Sequence, residues 1–107
     1  MKKSILLALM AAALFSTTLQ AADYIIDKRG AHASINFKIK HLGYSWLTGR
    51  FENFEGQFSY DATKPESSKI SVLVDTTSIS SNHAERDKHL KSNDFLEVSK
   101  FTSATFT

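Results

Sequence analysis

The chain has 107 residues, with 13 Lys+Arg against 11 Asp+Glu and no Cys. Without Cys there are no disulfides, no thiolate catalysis and no Cys-type zinc sites. The formal charge of +2 includes two lysines at the extreme N-terminus, so the rest offers no basic footprint for nucleic acid and no polybasic run for an anionic membrane.

Lys2 and Lys3, the apolar run Ile5 to Phe15, and the small residues Ala21 and Ala22 make a secretory signal. The run is 11 residues long, and a membrane-crossing helix needs about 20. Leu19 and Ala21 suit the positions before a cleavage site, which is expected after Ala21; cleavage after Ala22 is nearly as good. Residues 1–21 are thus a signal peptide, and 22–107 the exported chain with no membrane span. Lys2 and Lys3 leave with the signal, so the exported chain carries 11 charges of each sign and is neutral.

Tyr24 to Lys28 is a short apolar start that ends in a turn at Lys28-Arg29-Gly30. Ala33, Ile35, Phe37 and Ile39 then alternate with Ser34, Asn36, Lys38 and Lys40, the period of a strand with one buried face. Leu42 to Leu47 breaks the alternation and is expected to be an ordered connection. Gly49 to Asp61 resumes as a long strand or a bent pair. Phe54, Gly56, Phe58 and Tyr60 share one parity, while Phe51 has the other. A β-bulge near Asn53 would bring Phe51 onto their face, with Gly56 sitting among aromatics. Asp61 to Ser68 is a polar loop. Lys69 to Asp75 is a strand with Ile70, Val72 and Val74 on one face, and Thr76 to Ser80 is expected to prolong it. Asn82 to Lys91 is the one convincing helix, with Asn82 as cap and Glu85 completing a capping box. Thr102 to Thr107 begins another β-like run. With no repeats or linkers, the exported chain is one domain.

Four His residues raise the question of a metal. His32 and His41 differ in parity on one strand. His83 and Asp87 share a helix face, but zinc takes three or four ligands. No Gly-x-Ser-x-Gly elbow occurs, and Arg86 with Asp87 or Glu85 with His89 reads as a surface pair. No metal, cofactor or catalytic residue is assigned, and the chain is read as a non-enzyme. The many aromatics fit either a packed core or the lining of a cavity, since an eight-stranded barrel is at the size where both occur.

The exported chain resembles the YceI-like proteins of the bacterial envelope. The resemblance runs along residues 22–107. It is carried by Ala22-Asp23-Tyr24, Gly30-Ala31-His32, Ile35-Asn36-Phe37, His41-Leu42-Gly43-Tyr44-Ser45-Trp46, Gly49-Arg50-Phe51 and Phe54-Glu55-Gly56. The most specific stretch is Asn82-His83-Ala84-Glu85-Arg86-Asp87-Lys88-His89-Leu90, followed by Ser92 to Leu96. Phe101-Thr102 departs from the Tyr-Pro common in the family, and family members continue well beyond this point.

The resemblance implies a mainly β fold: an antiparallel lipocalin-like β-barrel with one short helix, of which this chain would be the N-terminal half. The implied function is a periplasmic carrier for a polyisoprenoid-chain lipid, of isoprenoid quinone or polyprenyl phosphate type. Phe37, Ile39, Trp46, Phe54 and Phe58 are then candidates for the apolar tunnel, and His41, Tyr44, His83 and Arg86 for its polar mouth. The competing reading is a stress-associated envelope protein with a filled barrel that acts through a protein partner. Four strands and the start of a fifth are expected, leaving an open sheet with exposed inward aromatics.

Overall fold

A computed structural model describes residues 21–107; the signal expected at the N-terminus lies outside them, except for Ala21. The described chain forms seven strands and one helix. In chain order these are β1 (Ala22–Ile25), β2 (Ile35–His41), β3 (Ser45–Phe51), β4 (Phe54–Tyr60), β5 (Lys69–Asp75), β6 (Ile79–Ser80), α1 (Ala84–Lys91) and β7 (Ser103–Phe106). All pairing is antiparallel. The strands make two open sheets, one ordered β1-β4-β5-β7 and the other β2-β3-β6.

The β2 alternation produces the expected strand, paired along its whole length with β3 from Ile35↔Phe51 to His41↔Ser45. The stretch from Leu42 to Leu47 is not one connection. Leu42 and Gly43 form a tight turn with φ of 50° and 76°, closed by the Tyr44 N–H donating to the His41 carbonyl at 3.0 Å. Positive φ at both central residues matches the twist of a hairpin, and β3 is already under way at Ser45.

The long segment after Gly49 is a bent pair. β3 lies in one sheet and β4 in the other, joined through Glu52 and Asn53. The partner segment crosses at the same place, because β5 and β6 are separated by a short 3-10 turn, Thr76–Ser78. Thr76 to Ser80 therefore does not prolong β5; it turns the corner and pairs with β3 instead. No bulge is needed near Asn53, since this corner changes the parity between Phe51 and Phe54.

The corner is held by polar bonds. The Glu52 N–H donates to the Ser78 carbonyl and the Asp75 N–H to the Asn53 carbonyl, both at 3.0 Å. The Asn53 N–H donates to Ser78 Oγ at 3.0 Å. Thr76 donates its hydroxyl to the Phe101 carbonyl and its N–H to the Thr102 carbonyl, which brings the chain into β7. Phe54 and Ile79, 7% and 6% exposed, are the buried hydrophobic residues of the described chain, and they sit on either side of this corner. The core is concentrated there.

The helix is capped one residue later than expected. His83 is its N-cap, with Nδ1 accepting from the Arg86 N–H at 3.1 Å. Asn82 instead takes φ 61°, a left-handed conformation that Asn tolerates better than most residues. No capping box with Glu85 forms around Asn82.

Candidate ligand-binding surface

The registers sort the four-stranded sheet into two unlike faces. One carries Tyr24, Phe58 and Ile70 in a row across β1, β4 and β5. The next row holds Gly56, Val72 and Phe106, and the last holds Phe54, Val74 and Ala104. Tyr60 extends the face at the other end, opposite Ala22. The reverse face carries Asp23, Glu55, Gln57, Ser59, Lys69 and Ser71, with Leu73 and Ile25 among them. Strand alternation thus yields one continuous apolar surface.

Local packing shapes that surface. Tyr24 and Phe58 stack with ring centroids 4.9 Å apart and planes within 15°, an offset pairing worth about 0.5–1.5 kcal/mol beyond burial. Gly56 is covered by Ile26 and Val72 rather than by aromatics. The Ile26 N–H donates to the Gly56 carbonyl at 2.8 Å, which extends the β1–β4 ladder by one residue. Phe58 remains 38% exposed, against 7% for Phe54, so burial fades from the corner toward the Tyr60 end. An open hollow of about 900 Å³ at this end of the sheet touches Tyr24, Phe58 and Ile70 but is lined mainly by residues of the reverse face, among them Asp23, Gln57, Ser59 and Lys69.

The smaller sheet repeats the pattern. Ile35, Phe37 and Ile39 of β2 share a face with Leu47, Gly49 and Phe51 of β3, and Ile79 of β6 lies opposite Phe51. The Phe37 ring occupies the space in which Gly49 would need a Cβ, and it lies 5.9 Å from the Phe51 ring. Lys38, Lys40, Trp46, Thr48 and Arg50 point to the reverse face.

The expected site residues therefore divide. Phe37 and Ile39 lie together on the apolar face of one sheet, and Phe54 and Phe58 on that of the other. Trp46 is on the opposite side of its sheet from Phe37 and Ile39, with Lys38 Nζ 4.8 Å from its ring centre. The four polar residues do not converge. His41 and Tyr44 stand at the hairpin end of β3, whereas His83 and Arg86 lie beyond β6, which pairs at Arg50 and Phe51. Those ends are roughly 17 Å apart along the strand.

His83 and Arg86 are occupied locally. Arg86 donates from Nε to Ser81 Oγ at 2.8 Å and from Nη2 to the Ser81 carbonyl at 2.6 Å. Asp87 accepts from the Ser81 N–H at 2.8 Å and from its hydroxyl at 2.5 Å. Ser81 is buried, and these bonds satisfy its polar atoms. The hydroxyl of Ser81, its N–H, and the charges of Lys91 and Arg86 hold the Asp87 carboxyl below its usual value of 3.8 against some desolvation. The conspicuous His83-to-Asp87 run thus ties α1 to β6. Within it, His83 Nδ1 serves the cap and Asp87 Oδ1 serves Ser81. His89 pairs with Asp94 at 3.1 Å, not with Glu85.

Open antiparallel sheets with one apolar face each, joined at a corner and followed by a short helix, define the class: a lipocalin-like β protein. The YceI-like domain description matches residues 24–107, and the chain belongs to that family. A UPF0312 protein of Shewanella baltica is 59% identical over 108 residues, covering 100% of this chain and 56% of its own length. A UPF0312 protein of Vibrio vulnificus is 57% identical over 110 residues, with 57% of its length covered. The chain thus spans little more than half the length of these relatives. Among solved structures, BcnA of Burkholderia cenocepacia shares the fold at a TM-score of 0.63 over 68% of this chain and 45% of its own, at 16% identity. A mutant CJ YceI protein crystallised with a monobromobimane guest is 32% identical, with a TM-score of 0.54 over 78% of this chain and 47% of its own.

Proposed function

We propose that the protein is an exported, periplasmic carrier for a lipid with a polyisoprenoid chain, held against the apolar sheet faces without catalysis. The observation that carries this reading is the unbroken apolar surface of Tyr24, Phe58, Ile70, Val72, Val74 and Phe106. Much of it is uncovered, which suits a surface meant for a guest. Phe37 and Ile39 contribute from the smaller sheet, and Phe58 is the central contact on the larger. Phe54, on the same face, is buried beside the corner and closes that end of the surface.

The energetics are adequate. A buried methylene contributes about 0.8 kcal/mol, so one five-carbon unit contributes roughly 4 kcal/mol. A few such units offset the several kcal/mol lost on association. An apolar chain needs no charged partner along its length, and the one amine near this face, Lys28 Nζ, lies 5.7 Å from the Phe54 ring centre at the corner end.

The test is organic extraction of protein purified from membrane-containing cells, followed by mass spectrometry. A stoichiometric prenyl lipid is expected. Protein that is reproducibly empty would overturn the carrier reading in favour of a filled barrel acting through a protein partner.

A further inference from the structure

Charge is unevenly placed in this otherwise balanced chain. From Lys28 to Phe51 there is no Asp or Glu, while Lys28, Arg29, Lys38, Lys40 and Arg50 all fall within that stretch. Arg29 is paired with Asp27 at 2.9 Å and Arg50 with Glu52 at 2.8 Å. Lys38 and Lys40 have no acidic partner among the described residues. Alternation places both on the reverse face of the β2–β3 hairpin, with Trp46 directly across from Lys40 and under the Lys38 amine.

The hairpin tip adds apolar surface of a particular kind. Leu42 is 78% exposed, Tyr44 93% and Trp46 58%. Leu42 also holds φ 50°, a left-handed conformation that Gly or Asn adopts at lower cost. A strained and solvent-facing leucine adds nothing to the fold that Asn would not supply.

We propose that the tip of the β2–β3 hairpin docks on an anionic lipid bilayer, with Leu42, Tyr44 and Trp46 entering the interface and Lys38 and Lys40 meeting lipid phosphates. Trp and Tyr are favoured at the headgroup level because their rings are apolar and their edges polar. The spacing fits. Lys40 and Trp46 stand about 7 Å back from Leu42 along the strands, and each headgroup region is roughly 5–7 Å thick. With Leu42 at the hydrocarbon edge, the lysine and the indole therefore lie at phosphate depth. Two free lysines on a narrow strand pair are too few for a nucleic-acid backbone, and the exposed tip favours a lipid surface. This inference is independent of the carrier reading, because a protein that holds no lipid would present the same hairpin.

Trp46 is the sole tryptophan, so its emission reports the hairpin directly. The exported chain is mixed with vesicles of phosphatidylcholine and phosphatidylglycerol, and separately with pure phosphatidylcholine. With the anionic vesicles, Trp46 emission is expected to shift to the blue and to be quenched by a spin label carried on the lipid headgroup, and added salt should reverse both. Replacing each of Lys38 and Lys40 by Gln should weaken binding roughly fivefold. Leu42→Ser with Tyr44→Ser should weaken it further, while Leu73→Ser on the polar face of the other sheet, 49% exposed, should leave Trp46 quenching unchanged. Equal binding to neutral vesicles would overturn the proposal. So would vesicle binding that leaves Trp46 unquenched in the unaltered protein, a result that needs no variant to fold.

Discussion

The Phe37 ring lies over Gly49, its partner across the β2–β3 ladder, in the space that a Cβ would need. Glycine is therefore required at position 49 by packing, not by backbone conformation. Gly49→Ala should destabilise the protein by about 1–3 kcal/mol through overpacking. Pairing it with Phe37→Leu should recover part of that loss. Urea unfolding of the two single variants and the double variant measures the coupling; strictly additive losses would mean that the ring does not fill this space.

Capping predictions follow from a displacement of one residue. His83→Ala should cost about 1 kcal/mol by removing the acceptor for the Arg86 N–H. Asn82→Gly should be nearly neutral, since glycine accepts φ 61° freely, whereas Asn82→Val should destabilise. Thermal unfolding of the three variants checks the order.

Asp87 gives the fold a pH dependence of definite sign. Its carboxyl is held below 3.8 chiefly by the Ser81 hydroxyl, so the folded state favours the ionised form. The associated stability is complete above that value and is lost as pH falls through the lowered folded value. Asp27, Asp61 and Asp75 are also depressed, so the wild-type curve alone does not isolate Asp87. The difference in unfolding midpoint between wild type and Asp87→Asn should be constant near neutrality and shrink below pH 3.8. A difference independent of pH would assign the effect to shape rather than charge.

For the carrier reading, the informative pair is Phe58→Leu and Phe58→Glu. Phe58→Leu roughly preserves the apolar surface and should retain co-purifying prenyl lipid. Phe58→Glu should lose it while still folding, because Phe58 is partly exposed even in the unaltered chain. Lipid retention in folded Phe58→Glu protein would remove this residue from the surface.

Several features were legible because they depend on neighbours in sequence. The β2 alternation, the Ile70-Val72-Val74 face and the shared parity of Phe54, Phe58 and Tyr60 each appear as read. Open edges and exposed aromatics match expectation. Seven strands in two sheets, however, replace the expected single sheet of four strands and the start of a fifth, because the Leu42-Gly43 turn and the corner each divide a stretch read as one element. β3 was half hidden, since Trp46 on the polar face conceals the alternation of Leu47, Gly49 and Phe51. The Leu42-Gly43 turn was the signal that could have revealed it. The corner was not legible at all, because it joins Asn53 to Ser78, 25 residues apart in sequence. The same distance effect kept the polar residues from being placed: His41 and Arg86 look comparable in a linear pattern and end on different sides of β3. The lysine pair escaped notice because a neutral total conceals how a strand gathers alternate residues.

The corner at Glu52-Asn53 and Asp75 to Ser78 works as a joint between two apolar plates. Its bonds are backbone and hydroxyl contacts flanked by the buried Phe54 and Ile79, so polar geometry and local burial together set the angle between the plates. Such a frame is shaped before any guest arrives, and a guest meeting it loses little free energy to rearrangement. Rigidity should then be graded, greatest at the joint and least at the far rims. Amide hydrogen exchange should be slowest at Glu52, Asp75 and Thr76 and fastest near Tyr44 and Tyr60, and saturating the plates with ligand should slow the rims while leaving the joint unchanged.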